Sequence, residues 1–145
     1  MVIGWREWVS LPDLGLGRLK AKIDTGARTS ALYALAVEQV GPRVRFRVCP
    51  NQRDTDTIVI AESDLIDERE VRSSSGVAEL RPVIRTAVLL GGRRFDAEFT
   101  LTDRTELGFR ALLGREALRG RFVVDPGSSY HFDGRRTRFR RKSAP

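Results

Sequence analysis

The feature that most restricts this chain is a two-residue alternation that recurs along it. In "RFDAEFTL" (94–101), Phe95, Ala97, Phe99 and Leu101 alternate with Arg94, Asp96, Glu98 and Thr100. In "RVRFRV" (43–48), Val44, Phe46 and Val48 alternate with Arg43, Arg45 and Arg47. "RLKAKI" (18–23) repeats the pattern with Leu19, Ala21 and Ile23 on one side. Successive side chains of a strand point to opposite faces, so each stretch buries one face and wets the other. Gly91-Gly92, between "VIRTAVLL" and "RFDAEFTL", predicts a two-residue hairpin turn. "REVRSSSGVAELRPVI" (69–84) predicts a longer hairpin with its tip at Ser73-Ser74-Ser75-Gly76. "CPNQRDTDT" (49–57) reads as a polar loop. "GREALRG" (114–120) reads as the one short helix, and "RFVVD" (121–125) as a last strand stopped by Pro126-Gly127. Many strands and one short helix predict a mostly-β domain. Closure into a barrel, complete or nearly so, would limit its exposed strand edges.

Composition sets the remaining bounds. The 145 residues suit one core, and neither an internal repeat nor a linker interrupts them. No apolar run is long enough to cross a membrane as a helix. The start, "MVIGWREWVS", lacks the basic and apolar regions of a secretory signal. Cys49 stands alone and cannot form an internal disulfide, which fits a reducing compartment and predicts a cytoplasmic location. The net charge is +7, yet Arg135, Arg136, Arg138, Arg140, Arg141 and Lys142 supply six of these charges. The sequence thus divides into a body over 1–126 and a basic tail over 127–145. Such a tail reads as a solvated, flexible end. Its alternative reading, for residues 135–142, is an anchor for RNA, a ribosome or an acidic partner.

The chemistry narrows by residue type. Zinc catalysis needs three or four ligands, mainly His and Cys, and the chain has one of each, His131 and Cys49. No metal and no cofactor is therefore expected. A serine nucleophile would lack both a "GxSxG" elbow and a local base. "LGLGRL" (14–19) is not a phosphate-cradling loop, because a third glycine and a following helix are missing. What remains is "AKIDTGARTSAL" (21–32), where a strand runs into Asp24, Thr25 and Gly26. A carboxylate at the end of a core strand costs desolvation unless a turn or a reaction uses it. Either Asp24 caps a turn through its own side chain, or it is held there for catalysis.

The order of segments adds a resemblance that favours the second reading and leaves the first open. A strand ending in Asp24-Thr25-Gly26-Ala27, a hairpin, and then two apolar residues before Gly114 and Arg115 resembles the retropepsin-like aspartic proteases. More closely, the chain is similar to a bacterial family labelled ATP-dependent zinc protease, whose members are associated with ATP-grasp glutamate ligases. The matching stretches are "LGRLKAKIDTGARTSAL", "REVRSSSGVAELRPVI", "FTLTDR" and "LLGREALRGRFVVDP". The resemblance implies a closed barrel with a flap hairpin and one short C-terminal helix. It implies a peptidase, with Asp24, Thr25 and Gly26 catalytic, and Gly114 and Arg115 structural beside them. It places Ala27, Arg28, Arg72, Ser73, Ser74, Gly76 and Arg81 along the substrate. The chain departs from the family pattern twice. Tyr33 stands where the family carries a histidine after "SAL". Arg28 stands where retropepsins carry an acid, so Arg115 needs another carboxylate, with Glu116 and Asp103 in view. One carboxylate cannot serve as acid and base together, and this chain holds one Asp-Thr-Gly, so the resemblance implies a homodimer with paired Asp24 side chains. The added arginines suit an acidic or glutamate-rich peptide. The rival reading keeps the barrel as a non-catalytic module for an acidic partner or for RNA.

Overall fold

The computed structural model describes residues 1–51, 57–72, 76–104 and 108–132. In chain order the strands are β1 (Val2–Gly4), β2 (Arg6–Leu11), β3 (Leu16–Ile23), β4 (Ser30–Tyr33), β5 (Leu35–Val40) and β6 (Arg43–Val48). They continue as β7 (Val59–Asp64), β8 (Asp67–Arg72), β9 (Ala78–Leu90), β10 (Arg93–Thr102), β11 (Ala111–Leu113) and β12 (Val123–Asp125). The helix α1 spans Arg115–Leu118, and a 3-10 turn covers Pro12–Leu14.

Each alternating stretch of sequence is a strand. β9 and β10 form the predicted hairpin, from Leu90 opposite Arg93 to Val83 opposite Thr100. Its turn needs two left-handed residues, and Gly91 and Gly92 supply φ of 59° and 81°. Strands β10, β4, β11, β3, β2 and β9 are hydrogen-bonded in that order, and β9 pairs back onto β10. Six strands thereby close into a barrel, as expected. Inside it Leu19, Leu32, Ile84, Phe99 and Leu113 are fully buried, and each such side chain contributes about 1.5–3 kcal/mol. The first half of β9 runs out of the barrel to pair with β8, from Ala78 opposite Arg72 to Val83 opposite Asp67. Beside the barrel, β5, β6 and β7 form an antiparallel sheet, and β1 pairs with β12 in parallel.

The sequence pattern left six strands unannounced, β11 because it is only three residues long and the other five each for a local reason. β5 is exposed at all six positions and bends at Ala36, whose φ is 51°. β7 carries a polar face, and β1 and β4 are short. In β2 an inward position is filled by Glu7, which is fully buried. Its Oε2 accepts the backbone N–H groups of Gly4 (2.7 Å) and His131 (2.9 Å), and its Oε1 accepts that of Phe132 (3.1 Å). The chain therefore does not part from the body at Pro126, where the sequence places the boundary. Trp5 N–H donates to the Ser128 carbonyl, Tyr130 N–H donates to the Arg6 carbonyl, and Phe132 packs against the core. The last strand starts at Val123 rather than at residue 121. Residues 133–145, with the basic run, lie outside the described residues. So do 52–56 of the predicted loop and 73–75 of the hairpin tip. Among the described residues no helix is long and apolar enough to cross a membrane.

Candidate active site

β3 delivers Asp24. The strand pairs in parallel with β11, placing Ile23 opposite Leu113, and the Asp24 N–H donates to the Leu113 carbonyl at 2.9 Å. The chain then turns. Asp24 Oδ1 accepts the Gly26 N–H at 2.9 Å, and the Asp24 carbonyl accepts the Ala27 N–H at 3.2 Å. The side chain thus fixes its own loop, as one of the two sequence readings requires, and it also lines a cleft of about 680 Å³.

The loop is held from below by the start of α1. A four-residue helix leaves its first N–H groups without helical partners, and here the loop supplies acceptors. Arg115 N–H donates to the Ala27 carbonyl (2.8 Å) and Glu116 N–H to the Arg28 carbonyl (3.1 Å). Gly114 N–H donates to Ser30 Oγ at 3.0 Å. A Cβ at Gly114 would stand 2.5 Å from the Thr29 carbonyl oxygen and 2.8 Å from that of Ala27. Only glycine fits there. Arg115 does not take the carboxylate partner that the sequence suggests. Its guanidinium donates to the Thr25 carbonyl at 3.0 Å, while Glu116 pairs with Arg119. A backbone carbonyl replaces the acid that Arg28 displaced.

Across the cleft stands the β8–β9 hairpin. Arg81, almost fully buried, donates to Glu79 at 2.8 Å, and Glu79 also accepts from Arg104 at 3.1 Å. Burial pushes the Glu79 carboxyl up, but hydrogen bonds and charge from Arg81 and Arg104 outweigh it and hold the group below its ordinary value. Arg72 donates to the Gly76 carbonyl at 2.7 Å. Arg110 donates to the Cys49 carbonyl at 2.7 Å and lies 5.1 Å from the Tyr33 ring. Lys22, Arg72, Arg81, Arg104 and Arg110 all line the cleft with Asp24. A cavity with five cations and few acids attracts anions.

The sequence-predicted residues divide accordingly. Asp24, Ala27, Arg72 and Arg81 meet at one cleft, with Thr25 and Gly26 in the exposed turn beside it. Gly114 and Arg115 lie behind that turn. Gly76 is exposed, with φ of 86°, and Ser73 and Ser74 lie outside the described residues. Arg28 does not line the Asp24 cleft. It lines a second depression, of about 410 Å³, with Arg69, Arg85 and Glu116. Lys22, Arg104 and Arg110 were not singled out from sequence. Arg104 closes the "FTLTDR" segment, which was the available signal. Among the described residues no group of three or more His, Cys, Asp or Glu could hold a metal ion.

Comparison with known proteins agrees with the geometry. The family model described as "Retropepsin-like aspartic endopeptidase RimB" matches residues 2–134. Curated relatives are named "Probable alpha-L-glutamate ligase". The one from Parasynechococcus marenigrum is 42% identical over 134 residues, 90% of this chain and 29% of its own length. The one from Shewanella pealeana is 40% identical over 133 residues, 89% of this chain and again 29% of its own. The chain therefore spans less than a third of these relatives. A solved structure from Legionella pneumophila, titled as of unknown function, superposes with a TM-score of 0.73 at 26% identity, over 89% of this chain and 95% of that one.

Proposed function

The chain belongs to the RimB-like family of retropepsin-like aspartic endopeptidases, and from that premise we propose that it hydrolyses peptide bonds with water activated by two Asp24 carboxylates, one from each chain of a homodimer. The observation that carries this reading is the seat of Asp24. A strand end, an Asx-type turn and the start of α1 together fix one carboxylate at the wall of a cation-lined cleft.

Two carboxylates at contact distance cannot both be ionised, so one stays protonated. The ionised one takes a proton from water, and the water oxygen attacks the scissile carbonyl carbon. The neutral one gives its proton to the carbonyl oxygen. Collapse of the tetrahedral species returns that proton and releases the amine, protonated by the acid formed in the first step. Thr25 and Gly26 hold the turn, Ala27 borders the substrate, and Arg115 fixes the Thr25 carbonyl from behind.

The substrate that suits this cleft is acidic. Arg72 and Arg104 line the cleft with donors beyond those given to the Gly76 carbonyl and Glu79, which suit glutamate side chains. Relatives that carry a similar segment within a longer chain are named as probable glutamate ligases, and a ligase adding glutamate makes the peptide that such a cleft accepts. We place both activities in the cytoplasm, where the single Cys49 stays reduced.

The test is Asp24→Asn, which keeps shape and removes the base. Cleavage of a glutamate-rich peptide should fall at least about a hundredfold, with thermal unfolding unchanged and chelators without effect on the parent protein. Undiminished cleavage by a folded Asn variant overturns the mechanism. Tight binding of the peptide with no cleavage by either protein favours the non-catalytic module instead.

A further inference from the structure

We propose that the outer face of the β2–β3 hairpin binds single-stranded RNA. The outward positions of these strands are Arg6, Trp8 and Ser10 on β2, and Arg18, Lys20 and Lys22 on β3. Four cations stand there and no acid. Arg6 lies directly opposite Lys22, and like charges facing each other across a sheet work against folding. A face this rich in cations is matched to an anion.

The cations are not loose. Arg18 lies 3.5 Å and Lys20 5.4 Å from the Trp8 ring. Arg6 lies between the rings of Trp5, at 4.7 Å, and Tyr130, at 4.8 Å. Tyr130 stacks on Trp8 with centroids 5.6 Å apart. To do so it adopts φ of 53°, a left-handed conformation that a bulky residue avoids without cause. Arg6 Nε and Tyr130 Oη are buried and have no hydrogen-bond partner among the described residues. The rings hold the cations in place, while outward positions two residues apart repeat at about 6.8 Å along each strand.

Cations interleaved with aromatic planes take both parts of a single strand, phosphates on the charges and bases on the planes. A purely acidic peptide matches the charges and leaves the planes unused. The position of the face adds to this. Lys22 also lines the Asp24 cleft, so the face runs to the cleft's edge. Tyr130 lies a few residues before the basic run at 135–142.

The test titrates the full chain with a 5′-labelled, unstructured RNA oligonucleotide at several salt concentrations. Trp8 lies on this face and Trp5 packs against its Arg6, so binding there should change tryptophan fluorescence. Arg18→Gln with Lys20→Gln should weaken binding at least about tenfold near 0.1 M salt and make the log–log salt slope about 1.4 less negative. Should that pair not fold, Lys20→Gln alone should change the slope by about 0.7. Asp24→Asn should bind RNA as the parent does, which separates this surface from the peptidase reading. The proposal is overturned if the folded face variants bind like the parent. It is equally overturned if RNA leaves the tryptophan signal unmoved, or if polyglutamate of equal charge competes as well as RNA.

Discussion

At the scale of single residues, two positions carry more than their type suggests. Glu7 is a carboxylate sealed among apolar side chains, and it survives there because three backbone N–H groups converge on it. Glu7→Ala leaves the buried Gly4 N–H and the part-buried His131 and Phe132 N–H groups without this acceptor and should cost about 1–3 kcal/mol. Residues 128–132 should then become accessible to a protease, which limited digestion followed by mass spectrometry will show. Gly114→Ala pushes a Cβ into the Thr29 and Ala27 carbonyls. It should cost about 1–3 kcal/mol as an overpacked site. Because those carbonyls belong to the loop after Asp24, peptidase activity should fall further than stability alone explains. A Gly114→Ala variant with parental melting temperature and parental rate would show that the loop is not clamped by α1.

At the scale of elements, the β8–β9 hairpin leans on a charge hub. Glu79 joins Arg81 of the same strand to Arg104 beyond β10. Its carboxyl is held below the ordinary glutamate value of 4.5. The native state then binds fewer protons than the unfolded state in that range. Glu79's contribution is complete above the unfolded value and is lost as pH falls through the folded one. Glu79→Gln should therefore flatten the loss of melting temperature between about pH 6 and pH 3, relative to the parent. Parallel curves for the two proteins would mean that the hub does not stabilise the hairpin. Arg43, Arg45 and Glu62 make a similar group on β6 and β7. That group is exposed, and neutralising it should have little effect.

At the scale of the whole molecule, the boundary of the folded body is the testable quantity. Deleting residues 135–145 should move the melting temperature by less than about 3 °C, because the segment has no apolar periodicity and Phe132 already packs on the core ahead of it. Deletion from residue 127 onward should instead unfold the protein or lower its melting point sharply, since Ser128, Tyr130, His131 and Phe132 all bond to β2 or its approach. Similar melting curves for the two truncations would return the boundary to Pro126.

What the sequence by itself determined is what nearest-neighbour physics writes into it. Alternation in "RFDAEFTL" and "RVRFRV" is the pleat of a half-buried strand, and Gly91-Gly92 is a turn that needs two left-handed residues. The family resemblance carried by Asp24-Thr25-Gly26 and a distant Gly114-Arg115, rather than local physics, marked the loop and its support. The tertiary structure alone decided the partners. Arg115 bonds to the Thr25 carbonyl because that oxygen, and not an acid, lies within its reach once β3 and β11 are side by side. Arg28 faces a different depression from Asp24 because the turn reverses the chain between them. Glu7 could not be read as buried, since its three donors come from residues up to 125 positions away. Contacts between residues distant in sequence leave no periodic trace in either segment, and only the closing of the barrel brings their atoms together.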